Sequence, residues 1–495
     1  MTQFDFSLST LWYNITQQLS YTPQEPLLFS SGLFWVLAIV FFSIYALIKS
    51  RRTMMMVFVV AFSLLFFYKS SGLFFLLLVA TSFVDWGLAR YIDSHENKGA
   101  RKAAMILSLL CSVGLLVYFK YANFVLLNLN AIIGNNFQPL DIILPVGISF
   151  YTFRTISYVV DVYNKKIPAT TNFLEYIFFL SFFPCLIAGP IVRADKFMPQ
   201  LRENKPASRE MVYGGLWMIL LGIIKKAVIA DYIAQYVNIA YGNPTGYSGV
   251  ELLMAILGYT MQIYCDFSGY SDMAIGIGSI MGFDLGINFD FPYRSLNVTE
   301  FWRRWHMSLS FWLRDYIYIP LGGNRKGKFR QYCNLMATML VGGLWHGAAW
   351  KFIFWGFGHG GALCVHKLLM PRLKKIPDNY FTNLISWLLT FTFVSLLWVF
   401  FRADTFETAW QVIYGTVTRF DPAYFPVFAQ VRYTWCALMI IVFCMHFIPK
   451  AFYEMLRRWF IDSFWIFKFL VFIAVIQLVI EFSAADVQPF IYAQF

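Results

Sequence analysis

Two histidines and the residues around them carry most of the chemical potential of this sequence. The stretch Asn297–Lys328, NVTEFWRRWHMSLSFWLRDYIYIPLGGNRKGK, holds His306 four residues after Trp302, among Arg303, Arg304, Arg314 and Asp315. Further along, His346 stands in VGGLWHGAAWKF, between Gly343 and Gly347. A neutral imidazole can take a proton from a hydroxyl while that oxygen attacks a thioester carbonyl. Each histidine also has a plain structural reading. His306 could be a core residue bonded to a neighbour, and His346 a hydrogen bond between helices. Taken alone, His306 is an even choice. The structural reading is weaker for His346, because a histidine at a close helix crossing is held in place and largely out of lipid. The Gly343–Gly347 pair lets a neighbouring helix approach closely and would hold the ring rigidly.

The elements that must position these groups follow from periodicity. Asn297 with Glu300 three residues on forms a capping-box-like helix start. From there Trp302, Trp305, Leu309, Trp312, Leu313 and Tyr316 fall on one face of a single amphipathic helix, with His306 on that same face. Such a helix suits a membrane interface or the wall of a polar cavity. His346 is expected inside a membrane span over Leu335–Phe357.

Composition sets the class. Hydrophobic residues make up 59% of the 495 and charged residues only 13%, about half the charged fraction of a soluble domain. Aromatics at 20% suit lipid solvation and interfacial belts. The chain reads as an all-α polytopic membrane protein. Its net charge of +12 is explained by basic cytoplasmic loops, so no nucleic-acid partner is expected. The seven scattered cysteines show no C-x-x-C, which indicates neither a disulfide framework nor a zinc site.

Apolar runs predict eleven or twelve spans plus re-entrant and interfacial pieces. They are 33–48, 54–68, 72–89, 103–119, 142–160, 176–192, 214–233, 252–264, 335–357, 384–401, 435–447 and 464–482. The first 28 residues lack Lys and Arg, so the first run is expected to be retained in the membrane. Basic loops at Lys49–Arg52 and Arg90–Lys102 flank a sparse turn at Lys69, which places the N-terminus outside and Ser50 inside. One membrane domain over 1–495 is the simplest organisation. It divides into N-terminal helices (1–140), a core (141–370) and C-terminal helices (371–495).

Several motifs are decoys. Gly356–Gly361 fits G-x-G-x-x-G but interrupts a span, so close helix contact explains it better than a dinucleotide. No G-x-S-x-G elbow or H-E-x-x-H occurs. His359 and His366, two helical turns apart, lack a third ligand, and packing is the better reading. The triplets at Asn14 and Asn297 are too short to carry weight.

The sequence resembles the membrane-bound O-acyltransferase (MBOAT) family, in its bacterial branch of alginate O-acetylation and teichoic-acid D-alanylation membrane proteins. The matching pieces are PVGISFYTFRTISYVVDVY at Pro145–Tyr163, FFPCLIAGPIVR at Phe182–Arg193, WRRWHMSLSFWLRDYIYIPLGGNR at Trp302–Arg325 and GGLWHGAAW at Gly342–Trp350. The PFIYAQF ending also looks like the family tail, except that Ala493 stands where an aromatic is expected. The first 140 residues match only as apolar helices.

The resemblance implies a helical ring with a thinned centre and a tunnel, in which a cytoplasmic donor meets an outside acceptor. It implies that His346 is the catalytic histidine and His306 the second histidine of the branch. Trp302, Arg304, Trp305, Trp312, Arg314, Asp315 and Asn324, with Trp345 beside His346, become tunnel-lining candidates. The expected activity is transfer of acetyl from a thioester, acetyl-coenzyme A, to an exopolysaccharide or cell-wall polymer at a bacterial inner membrane. That transfer goes directly or through an extracytoplasmic esterase-like partner, with no tightly bound cofactor or metal. His346 would be the base, and His306 would orient the acceptor or polarise the carbonyl. D-alanyl transfer from a carrier protein stays open. So does a rival class, a polysaccharide or lipid-linked-sugar transporter, suggested by intramembrane Lys225, Lys226, Asp231, Asp266 and Asp272.

Overall fold

The computed structural model describes Tyr13 and residues 16–23, 26–373 and 375–482. Among these, every regular element is helical. Asn14, half of the stretch before Leu33 on which the N-terminal placement depends, and the PFIYAQF ending lie outside the described residues.

In chain order the helices begin with α1 (Gly32–Ile48), α2 (Arg52–Ser71), α3 (Phe74–Ser94), α4 (Lys98–Leu116) and α5 (Ala122–Ile133). Next come α6 (Ile148–Tyr163), α7 (Phe173–Ser181), α8 (Ala194–Glu203), α9 (Arg209–Ile223), α10 (Asp231–Gly242) and α11 (Gly249–Ile280). The segments that carry the two histidines are α12 (Val298–Arg304), α13 (Met307–Leu313), α14 (Lys328–His346) and α15 (Trp350–Leu373). The chain continues through α16 (Tyr380–Arg402), α17 (Phe406–Thr418), α18 (Tyr424–Val431), α19 (Tyr433–Phe447), α20 (Lys450–Asp462) and α21 (Trp465–Phe482). Wider π-type turns occupy Val117–Tyr121, Ile224–Ala230 and Arg314–Tyr318, and such turns gather at functional positions.

Among the described residues, six helical segments are long and apolar enough to cross a membrane: 52–71, 74–94, 98–133, 209–242, 380–402 and 465–482. A seventh arises if α18 and α19, bent by 96° to each other, count as one. The other expected runs are shorter, more polar or interrupted. α7 ends at Ser181, and Pro184, Gly189 and Pro190 keep the chain from continuing as a helix to Val192. The run 142–160 becomes helical only at Ile148. The run 335–357 divides at Gly347–Ala349, so His346 is the last residue of α14 and does not sit inside one span.

The chain forms two compact units. The first comprises Met1–Phe119, Asp141–Ile187 and Arg193–Pro206. Its core is aromatic, with the Phe183 ring 5.2 Å from Phe41 and 5.0 Å from Phe62. Buried charge there is matched. Asp85 accepts from Ser108 at 2.5 Å and Ser112 at 3.1 Å, one turn apart on α4, and Glu175 pairs with Arg52 and Arg202.

The second unit comprises Lys120–Leu140, Ala188–Val192 and Ala207–Phe495. Its axis is the 32-residue α11, started by a complete capping box between Ser248 and Glu251. α9 lies directly on α11 through glycines seven residues apart on each helix. A Cβ at Gly222 would come within 2.5 Å of the Gly269 carbonyl oxygen, and one at Gly215 within 2.6 Å of that of Gly276. Only bare backbone permits that approach. The intramembrane charges hold neighbouring turns together: Lys226 pairs with Asp231 at 2.8 Å and Asp266 at 2.6 Å, and Lys225 with Asp272 at 2.6 Å.

Candidate active site

His346 is presented by the crossing of α14 and α15. Gly343 and Gly356 meet there, each Cβ position lying 3.3 Å from the other residue's Cα, and a Cβ at Gly356 would sit 2.4 Å from the Met339 oxygen. Gly343, Gly356, Gly358 and Gly360 are thus contact points between helices, whereas Gly347 in the connecting turn meets the Phe352 ring and Gly361 faces open space. His346 is 3% exposed, and its ring is enclosed by Trp345 at 4.9 Å, Trp355 at 4.9 Å and Phe401 at 5.1 Å between centroids.

A helix end leaves its last carbonyls without intrahelical partners, and a membrane interior offers little water to replace them. Here the side chains of one π-type turn do so. Lys120 Nζ donates to the carbonyls of Trp345 at 2.7 Å and His346 at 3.2 Å, and the Tyr121 hydroxyl donates to that of Leu344 at 2.5 Å. The Lys120 ammonium also lies where a cation complements the negative end of the helix dipole. The sequence reading missed Lys120. A lysine closing an apolar run was the available signal.

His306 corrects the expectation of one continuous amphipathic helix. α12 ends at Arg304, and His306 takes φ +40° in the left-handed region before α13 begins, a conformation costing of order 1–3 kcal/mol for a residue with a Cβ. The segment Asn288–Asp290 compensates. Asp290 N–H donates to the Arg304 carbonyl at 2.9 Å, and Met307 N–H to that of Asn288 at 2.9 Å. The start of α12 is half the expected box. Asn297 caps the Glu300 amide at 2.9 Å, but the Glu300 carboxylate accepts from Leu296 N–H instead.

Asn288 also sets the chemistry of His306. Its Nδ2 donates to Ser271 Oγ at 3.1 Å, which orients the amide. Its Oδ1 then accepts from Ser308 N–H at 3.2 Å, Ser308 O–H at 2.9 Å and His306 Nδ1 at 3.1 Å. A carbonyl oxygen only accepts, so His306 carries its proton on Nδ1 and keeps a lone pair on Nε2. Nothing in the sequence pattern pointed to Asn288, which lies in an irregular segment before the motif.

The remaining candidates divide. Trp302, Trp305 and Trp345 join the histidine cluster: Trp302 lies 5.6 Å from Trp355, Trp305 4.9 Å from Trp398, and Trp345 5.8 Å from His306. Trp312 is buried against Tyr316. Arg304 pairs with Glu300 at 2.8 Å and lines a separate polar cleft of about 660 Å³ with Asp290, Arg303 and His366. Arg314 pairs with its neighbour Asp315 at 2.7 Å and is half exposed, while Asn324 is an exposed turn residue. His359 and His366 both face α12, bonding Trp302 Nε1 at 3.3 Å and Thr299 Oγ1 at 2.8 Å. Among the described residues no His, Cys, Asp or Glu group could hold a metal ion.

Known proteins share this core. Residues 164–403 match the MBOAT, membrane-bound O-acyltransferase family. A peptidoglycan O-acetyltransferase of Helicobacter pylori is 40% identical over 368 residues, 69% of each chain. A probable alginate O-acetylase AlgI of Pseudomonas aeruginosa is 45% identical over 318 residues, 62% of this chain and 59% of that one. A teichoic acid D-alanyltransferase of Bacillus subtilis is 29% identical over 283 residues, 54% of this chain and 71% of that one.

Proposed function

Because the chain belongs to the membrane-bound O-acyltransferase family, we propose that it takes acetyl from a thioester and passes it to an acceptor hydroxyl for O-acetylation of an extracytoplasmic polysaccharide or cell-wall polymer. The observation that carries this reading is the buried histidine pair in one aromatic enclosure, with the His306 ring bonded to Asn288 and the backbone carbonyls at the His346 helix end bonded by Lys120. Acetyl-coenzyme A is the proposed donor, supplied from the cytoplasm across a bacterial inner membrane, with the N-terminus outside. The chemistry lies within residues 141–370.

In the proposed step His346 takes the proton of the acceptor hydroxyl as its oxygen bonds to the thioester carbon. The carbonyl electrons move to oxygen and return as the carbon–sulfur bond breaks. The thiolate leaves with the proton returned from His346. His306, with its lone pair on Nε2, suits the role of accepting from and orienting the hydroxyl. Acetyl is favoured over D-alanyl because the acetylating relatives are 40–45% identical and the D-alanylating one 29%. The intramembrane lysines and aspartates pair with one another, which supports a structural use for them over a transport path.

The final acceptor is proposed to receive acetyl through a secreted esterase-like partner. Purified protein in detergent, given acetyl-coenzyme A with and without a polysaccharide and such a partner, is expected to release free thiol in step with acetyl ester formed. No thioester consumption under any combination, with substrate movement in vesicles instead, would sink the reading.

A further inference from the structure

His359 is fully buried, and the described structure fixes its protonation pattern. Trp302 Nε1 can only donate, so at 3.3 Å His359 Nδ1 must accept. The neutral ring therefore carries its proton on Nε2, and that atom has no hydrogen-bond partner among the described residues. The indole N–H groups of Trp355 and Trp398 are likewise buried and without an acceptor there. The three rings sit together beside the catalytic candidate. Trp355 lies 4.9 Å from His346 and 4.7 Å from His359, and Trp398 lies 5.6 Å from Trp355 and 6.4 Å from His359.

Buried donors are ordinarily satisfied, and three on adjacent rings with no acceptor among them call for one supplied from outside the cluster. His306 and His359 thus hold opposite polarity: the first presents a lone pair at Nε2, the second a proton at Nε2. Polarising a carbonyl needs a donor, which the His306 tautomer does not supply at that atom.

We infer that His359 Nε2–H, assisted by the indole N–H groups of Trp355 and Trp398, donates to the carbonyl oxygen of the acyl thioester and holds the oxyanion that forms as the acceptor attacks. This rests on the acyl-transfer reading above. The carbon–oxygen π pair moves onto the oxygen facing these donors, the attacking hydroxyl loses its proton to His346, and collapse of the oxyanion expels the thiolate, which takes that proton. His359 keeps its own proton throughout. Trp302 is a positioning residue, acting through the tautomer it imposes.

The test uses the full chain in detergent, with acetyl-coenzyme A carrying a ¹³C carbonyl. Bound to wild type, the carbonyl stretch should shift to lower frequency. His359→Phe should lose that shift and lower kcat about 10²–10³-fold, the usual effect of removing one oxyanion donor, with KM little changed. His359→Gln restores an N–H near the Nε2 position and should recover much of both signals. Trp302→Phe, which frees the tautomer, should weaken the shift even if His359→Phe proves poorly folded. A retained shift and full turnover in folded His359→Phe would overturn the assignment, as would Trp302→Phe and His359→Gln behaving identically to wild type and to His359→Phe respectively. A wild-type protein that shifts the carbonyl yet never transfers acetyl would instead overturn the function reading and leave the donor assignment standing.

Discussion

Truncating His346 to Ala removes the proposed base from a Gly-flanked crossing where nothing is forced to clash, so the protein should still fold. Loss of a general base costs about 10²–10⁴-fold in rate, enough to erase acetylated polymer in cells. His306→Ala should be less severe, because its Nε2 is proposed to orient the acceptor, with the proton moved by His346. Acetylated polymer measured beside the membrane abundance and extracted size profile of each variant decides this. Normal abundance with normal acetylation for His346→Ala would refute the mechanism, and lost abundance would return His346 to a structural bond between helices. Lys120 supplies a second residue-scale prediction. Lys120→Met leaves the Trp345 and His346 carbonyls without their donor, and small misplacement of a catalytic group can cost as much as about 10²-fold. Turnover should fall by about 10-fold or more while the protein remains extractable, and Lys120→Arg should recover part of it. Equal turnover for Lys120→Met and wild type would show that the ammonium does not position His346.

Between elements, the decisive contacts are backbone against backbone. A side chain at Gly222 must displace the Gly269 carbonyl, and overpacking of that kind costs about 1–3 kcal/mol or more. Gly222→Val should therefore lower the thermal midpoint in detergent, whereas Gly361→Ala, whose Cβ would meet nothing within 4 Å, should leave it unchanged. Similar midpoints for the two variants would mean that α9 and α11 are not held by this seam. The periodicity of Trp302, Trp305, Leu309 and Trp312 described a single helix. In the fold those side chains are indeed buried, but the chain breaks at His306 because Asn288 and Asp290 offer the backbone other partners. No helical period encodes a competitor that arrives from elsewhere in the chain.

At the scale of the whole molecule, the alternation of basic loops makes topology testable. A reporter fused at Ser50 should be reachable only from the cytoplasm, and accessibility confined to the outside would reverse the proposed orientation. Dependence on a secreted partner is tested by rate. The purified chain alone should acetylate polymer far more slowly than whole cells do, and matching rates would remove the need for a partner.

What the sequence determined by itself was the solvent and the close-packed setting of His346. Residues that are 59% hydrophobic must face lipid or a helical core, and an imidazole between Gly343 and Gly347 must lie at a close crossing; both are local consequences of residue type and spacing. Tertiary structure decided the rest, because hydrogen-bond polarity depends on partners distant in the chain. Asn288 makes Nε2 of His306 an acceptor, Trp302 makes Nε2 of His359 a donor, and Lys120 secures the carbonyls beside His346 from more than two hundred positions away. Arg304, Arg314 and Asn324 share a motif with these residues yet face a separate cleft or the surface, and Asp315 pairs with Arg314, since neighbours in sequence diverge once the helix that would align them is broken.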